Sequence, residues 1–187
     1  MALAATLSET PDAELALLAA GGSRSAFGAL VRRHSSAVRG LLRRMGAEPA
    51  LADDLAQDAF LIAFERIGSY RGEGAFGGWL KQIAARLYLR RRRRDGLFEV
   101  MAEPPRNDAD PGPTPGERID LDEALKVLSE AERLCIALCT GAGFSHPEAA
   151  IALQIPEGTV KSHVKRGLEK LRRRMAPDGE PRSLRHG

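Results

Sequence analysis

The 187-residue sequence contains no apolar run approaching the ~18 residues needed to cross a bilayer, and its N-terminus lacks the basic start and long apolar core of a signal peptide. No membrane insertion is expected, and the expected location is the cytoplasm. Cysteine is nearly absent. The two thiols, Cys135 and Cys139, stand four apart in a helical stretch, and without histidines at ligand spacing they fall short of a zinc signature. They are read as small packing residues, and no metal or cofactor is expected. The chain also lacks a phosphate-binding glycine loop and any nucleophile–base constellation, so it is not expected to be an enzyme. Aromatic residues are only 5% of the chain, with one tryptophan, and Lys plus Arg outnumber Asp plus Glu by only 28 to 25. A net charge of +3 names no partner, so the placement of charge must carry the argument.

What is present is helix signal. Between Gly143 and Met175, Ser145 and Glu148 are spaced as a capping box, in which each side chain satisfies an amide at a helix start. That helix should end near Gln154, because Pro156 donates no backbone hydrogen bond and disfavours helix at the residue before it. A second helix is predicted from around Thr159. Along it Val160, Val164, Leu168, Leu171 and Met175 recur at steps of four, four, three and four, forming one apolar stripe. Lys161, Ser162, Lys165 and Arg166 lie off the stripe. Two short helices joined by a tight turn, the second with cations on its free face, describe a DNA-binding helix-turn-helix.

The N-terminal half is helical too. Thr10-Pro11-Asp12 marks a helix start with Thr10 as cap, and Gly21-Gly22 its end. Ser25 is placed to cap the next helix, whose buried face carries Phe27, Leu30, Val31, Val38, Leu41, Leu42 and Met45, with His34 packed among them. From Ala50 to Ile67 a third helix offers Leu51, Leu55, Phe60, Ala63 and Ile67 to the core and groups Asp53, Asp54, Gln57 and Asp58 near its beginning. Acids there suit a helix dipole, which accounts for Asp53 and Asp54 better than for Asp58. Residues 68–75 are rich in glycine and predict a surface loop. A fourth helix follows with Phe76, Trp79, Leu80, Ile83, Ala84 and Leu87, ending in five consecutive arginines, Arg90 to Arg94.

From Gly96 to Glu117 the apolar period vanishes, and Pro104, Pro105, Pro111, Pro113 and Pro115 mix with acids. This is expected to be a flexible, acidic, proline-rich linker. Beyond it Leu121, Leu125 and Leu128 share a helix face, and Ser129 with Glu132 forms a second capping box. The fold class is therefore all-α, two small helical domains joined by that linker, with boundaries at 1–95, 96–117, 118–176 and a disordered tail at 177–187.

Three stretches carry a family resemblance. IPEGTVKSHVKRGLEKLR resembles the helix-turn-helix that closes sigma-70 family RNA polymerase sigma factors, above all the extracytoplasmic-function (ECF) group. DDLAQDAF is similar to the D-x-x-Q-(E/D)-x-F segment of that family, and YRGEGAFGGWLKQIA to its Y-R-G-x-x-x-F-x-x-W-L-x-x-I-A segment. The resemblance implies that the 1–95 domain is sigma-70 region 2 and the 118–176 domain is region 4. It also implies that Asp54, Gln57, Asp58 and Phe60 dock on the clamp helices of core RNA polymerase. Ser69, Tyr70, Arg71, Phe76 and Trp79 would hold an unstacked base of the melted minus-ten strand, and Arg90 and Arg91 the phosphates just upstream. Arg86 and Arg90 stand where relatives usually carry asparagine and aspartate. Thr159, Lys161, Ser162, His163, Lys165 and Arg166 would meet the minus-thirty-five duplex, Thr159 at a phosphate and His163 where relatives often carry arginine. The implied partners are core RNA polymerase, promoter DNA and an anti-sigma factor. The alternative from the residues alone is a stand-alone helix-turn-helix regulator, which would normally dimerise on a palindrome; no dimer helix is evident.

Overall fold

Caps and breakers set the helix boundaries. The computed structural model describes residues 7, 9–70, 75–96 and 124–175. Among these there is no strand, and seven α-helices form two groups. The first group is α1 (Asp12–Ala20), α2 (Arg24–Arg44), α3 (Pro49–Glu65) and α4 (Phe76–Arg94). The second is α5 (Glu130–Ile136), α6 (His146–Leu153) and α7 (Glu157–Met175), preceded by a short 3-10 turn at Leu125–Val127. The linker and the C-terminal tail expected from the sequence lie outside the described residues.

Two expected caps move by one or two residues. Pro11 occupies the α1 N-cap position, with no side-chain cap, so Thr10 falls one residue too early. For α2 the cap is Ser23, whose oxygen accepts from the Ala26 amide at 3.3 Å, while Ser25 already lies in the first turn. Gly46, at φ 103°, turns the chain out of α2 and into Pro49, which sits in the first turn of α3 where its missing N–H costs nothing. Both capping boxes are formed in full, Ser129 with Glu132 and Ser145 with Glu148. Between α5 and α6 the helix widens into a π segment at Ala137–Gly141.

In the first group Leu15, Leu30, Leu41, Leu42, Met45, Phe76, Leu80, Tyr88 and Leu89 are fully or almost fully buried, with Phe27, Val31, Trp79, Ile83 and Leu87 half-buried beside them. The second group buries Leu134, Leu138, Leu153 and Val160. The two groups are in contact: α6 rests on α4, and the π segment rests on α2 and α4. Gly141 is part of the reason, since a Cβ there would come within 2.9 Å of Leu41 Cδ1. Polar groups complete the seam. The Tyr88 hydroxyl donates to the Met45 carbonyl at 3.0 Å and accepts from Arg92 at 3.3 Å, and Arg92 forms an ion pair with Glu130. Arg93 donates to the Ala152 carbonyl.

Inside the second group the α5–α7 crossing is tight. A Cβ at Gly167 would lie 2.4 Å from Ile136 Cδ1 and 3.3 Å from Glu132 Cβ. Beside that crossing Glu132, only 1% exposed, receives the Lys170 ammonium at 2.9 Å and the Ser129 amide at 3.0 Å. Removing one partner of a buried pair strands the other charge. Lys170→Met is therefore expected to lower stability by about 3 kcal/mol, measured by urea titration of the full chain.

Candidate functional site

Three exposed surfaces gather the residues singled out by the sequence. The first is the free face of α7. Gln154, in the left-handed region at φ 58°, ends α6, and α7 begins at Glu157, two residues before the expected start at Thr159. Val160 is fully buried and Leu171 nearly so, whereas Met175 is 51% exposed, so the apolar stripe stops one turn short of the helix end. Lys161, Ser162 and Lys165 point outward and Thr159 is half-buried. Lys161 is held one turn down the helix by Glu157 at 2.7 Å, and that pairing lowers the Glu157 pKa. The Ser162 hydroxyl donates to the Gly158 carbonyl at 2.9 Å. A row of cations with a helix N-terminus beside it suits a DNA backbone and its groove.

His163 does not belong to that face. It is 1% exposed and turned toward α5, so the expected contact with DNA is corrected: a helix places residue 163 about 100° from residue 162, on the inner side. Burial first, then the charge of Arg166, holds its pKa below the ordinary 6.5, with Glu132 pulling the other way. Arg166 leans back over it, its Nη2 3.5 Å from His163 Nδ1, which leaves the guanidinium half-buried rather than fully presented.

The second surface lies at the start of α4. Tyr70, Phe76 and Trp79 form a cluster, with ring centroids 5.5 Å apart for Tyr70–Phe76 and Tyr70–Trp79 and 5.6 Å for Phe76–Trp79. Tyr70 and Trp79 are half-buried, and Ser69 is exposed with its hydroxyl on the Arg66 carbonyl at 2.7 Å. Phe76 is 0% exposed, which corrects its expected contact with a base: it is the floor on which the other two rings rest. Burial, then the nearby Asp12 charge, raises the Tyr70 pKa, so the phenol keeps its proton and can donate a hydrogen bond. Arg71 lies outside the described residues. At the far end of α4 the arginine run divides by helical phase. Arg90 and Arg91 are exposed, with Arg91 on Asp95 at 2.8 Å, while Arg92 is turned inward to Glu130. Burial alone would lower the Arg92 pKa, but its bonds to Glu130 and Tyr88 reverse that and keep it charged.

The third surface is α3. Asp54, Gln57 and Asp58 are exposed along one side, and neither aspartate has a salt bridge among the described residues, whereas Asp53 is engaged by Arg39 at 2.7 Å. Phe60 is 9% exposed and serves as the wall of an adjacent groove of about 580 Å³ between α2 and α3. Phe27, Val31, Leu61 and Phe64 line that groove, with Leu61 63% and Phe64 42% exposed. An unpaired acidic edge beside exposed apolar side chains is the make-up of a protein-binding surface. The sequence reading missed Leu61 and Phe64; their place one turn and two turns beyond Gln57 was the available signal.

The thiols behave as packing groups. Burial first pushes Cys135 up to about 12, and burial also raises Cys139. Among the described residues no three side chains are grouped to hold a metal ion, and no helix is long and apolar enough to cross a membrane.

Comparison with known proteins bears on these surfaces. The family profile "Sigma-70 region 2" matches residues 30–97, and "Sigma-70, region 4" matches residues 124–173. The RNA polymerase sigma factor NccH of Alcaligenes xylosoxydans xylosoxydans is 35% identical, over 86% of this chain and 92% of its own length. The ECF RNA polymerase sigma factor SigE of Mycolicibacterium smegmatis is 34% identical over 76% of this chain, which spans only 59% of that relative. Among solved structures, CnrH in complex with the cytosolic domain of CnrY is 28% identical at a TM-score of 0.52, covering 86% of this chain and 94% of that one. RpoE in complex with the anti-sigma factor NepR from Bartonella quintana is 25% identical at a TM-score of 0.51, covering 82% and 98%.

The buried imidazole of His163 makes a pH-dependent contribution. Its folded pKa is depressed, so the unfolded chain takes up a proton near pH 6.5 while the folded chain does not. Stability is then full above that pH and falls as the pH drops below it. Thermal unfolding from about pH 7.5 to about pH 5.5 should show a Tm that declines on acidification, and a His163→Gln variant should decline less.

Proposed function

Because the chain belongs to the sigma-70 family of RNA polymerase sigma factors, in its extracytoplasmic-function group, we propose that it acts as a dissociable specificity subunit gripping a promoter at two points. The first domain docks on core polymerase through Asp54, Gln57 and Asp58 on α3 and holds the melted minus-ten strand at Ser69, Tyr70, Arg71 and Trp79. Arg90 and Arg91 bind the phosphates upstream of that strand. The second domain reads the minus-thirty-five duplex through Lys161, Ser162, Lys165 and Arg166, with Thr159 at a phosphate. The polymerase performs the chemistry, and the chain works in the cytoplasm where polymerase and DNA are.

The observation carrying this reading is that two separate surfaces of opposite character stand in one chain: the unpaired acidic edge of α3 and the cationic face of α7. Complementary charge steers association and fixes register, so the acidic edge suits a cationic protein partner. A stand-alone regulator would need the second surface and leave the first without a task. The apolar groove with Leu61 and Phe64 beside the docking edge suits an anti-sigma factor, which would compete with polymerase by covering it.

Adding the chain to purified core polymerase should produce transcription from defined start sites, and failure to form any complex with core would overturn the reading. Asp58→Lys should weaken binding to core by about tenfold or more, read by fluorescence titration, without changing affinity for promoter duplex. Arg166→Ala should relax discrimination at one base pair by about 1–3 kcal/mol; an unchanged sequence preference in a binding-site selection would assign Arg166 to phosphate.

A further inference from the structure

The aromatic cluster at the start of α4 has a support that reaches back to Asp12, outside the residues matched to region 2, which begin at residue 30. His34, on α2, packs its ring on Phe76 with centroids 5.5 Å apart and planes at 52°. Its Cε1–Nδ1 edge faces the first turn of α4 so closely that a Cβ at Gly77 would lie 3.0 Å from both atoms. The neighbouring ring nitrogen is tied to α1: His34 Nε2 is 2.7 Å from Asp12 Oδ2. Asp12 is fixed in turn, because Arg33 pairs with its other oxygen and also donates to the Thr10 carbonyl at 3.0 Å.

The imidazole is thus a strut. It spans from an anchored carboxylate in the first turn of α1 to the first turn of α4, and its tilted ring packs on the buried ring beneath Tyr70 and Trp79. Neither residue is exposed enough to be a surface accident, with side-chain exposures of 15% for His34 and 25% for Asp12. The glycine opposite leaves the ring its room, since a Cβ at residue 77 would require the imidazole to give way by a few tenths of an ångström. A binding site works when its contacting groups are held close to their productive geometry by a packed and hydrogen-bonded second layer. Base capture has an added demand for rigidity, because the pocket must repay the cost of unstacking.

We propose that Asp12 and His34 are positioning residues for strand capture: the pair sets the first turn of α4 and so holds Tyr70, Phe76 and Trp79 in the shape that receives an unstacked base. This rests on the function proposed above. It makes α1 a working part of the strand-holding site rather than a cover for the core.

The test uses holoenzyme assembled from core polymerase and the full chain. A fluorescent single-stranded oligonucleotide carries the non-template minus-ten sequence of a promoter found by start-site mapping. His34→Leu, Asp12→Leu and Gly77→Ala should each weaken binding of the oligonucleotide by about 2- to 30-fold. Affinity for core and for minus-thirty-five duplex should stay within about twofold. Asp12→Asn, which keeps an acceptor for His34, should retain most of the affinity. Gly77→Ala guards against a folding artefact, because it raises helix propensity while adding a methyl group against the imidazole. Unchanged strand affinity in His34→Leu and Gly77→Ala would overturn the positioning role and leave the proposed function intact. Losses that fall equally on core binding and duplex binding would also overturn it, showing a merely structural pair. Failure of the unsubstituted holoenzyme to bind the strand would overturn the proposed function and this role with it.

Discussion

The carboxylate of Glu132 is the group on which the second domain's geometry depends. It closes the capping box at the start of α5, reaching the Ser129 amide, and at the same time takes the ammonium of Lys170 from α7. One buried charge therefore fixes both where α5 begins and how α7 crosses it. The missing side chain at Gly167 lets the two helices approach until Ile136 fills the space, so charge pairing and close packing enforce the same crossing. Everything presented on the outer side of α7 inherits its orientation from that contact.

The first domain solves a different problem. Its outward groups sit on three helices and a turn, and on the proposed function they serve a protein, an unstacked strand and a phosphate backbone. Helical phase does the sorting. In α3 the acids and Gln57 share one side while Phe60 turns to the core, and in α4 consecutive arginines are divided between solvent and the seam with the second domain. A run that reads as a uniform basic patch in sequence is thus two devices, Arg90 and Arg91 outward and Arg92 inward on Glu130.

The sequence made the helices legible because their signals are local. Both capping boxes, the Pro156 break and the apolar stripes of α2 and α7 depend on residues within a turn or two of each other, and each appears in the structure close to where it was expected. The grouping of Asp54, Gln57 and Asp58 on one exposed side of α3 was legible for the same reason. What could not be read were choices made by tertiary contact. His163 was placed at the duplex because it stands where relatives often carry arginine, yet it is buried. Phe76 was placed on a base by its match to the family segment around Trp79, yet the cluster buries it. The pairings of Asp12 with His34 and of Arg92 with Glu130 join residues 22 and 38 positions apart, and no local pattern marks them. The two domains were expected to be joined by a linker, and the contact of Leu41 and Tyr88 with the second group adds a direct seam that no local pattern announces.

The inward turn of His163 narrows what α7 can tell apart. On the proposed function, the residues that meet the duplex run from Thr159 to Arg166, a rise of about 10 Å along the helix axis, which is the length of about three base pairs. Three fully read positions single out about one site in 64, or six bits of information, against the 10⁶ or more competing positions of a genome. On that reading α7 carries only a fraction of the address. The remaining bits would come from the spacing to a second element and from the identity of bases held at the aromatic cluster, which makes specificity a property of the distance between two sites as much as of either one.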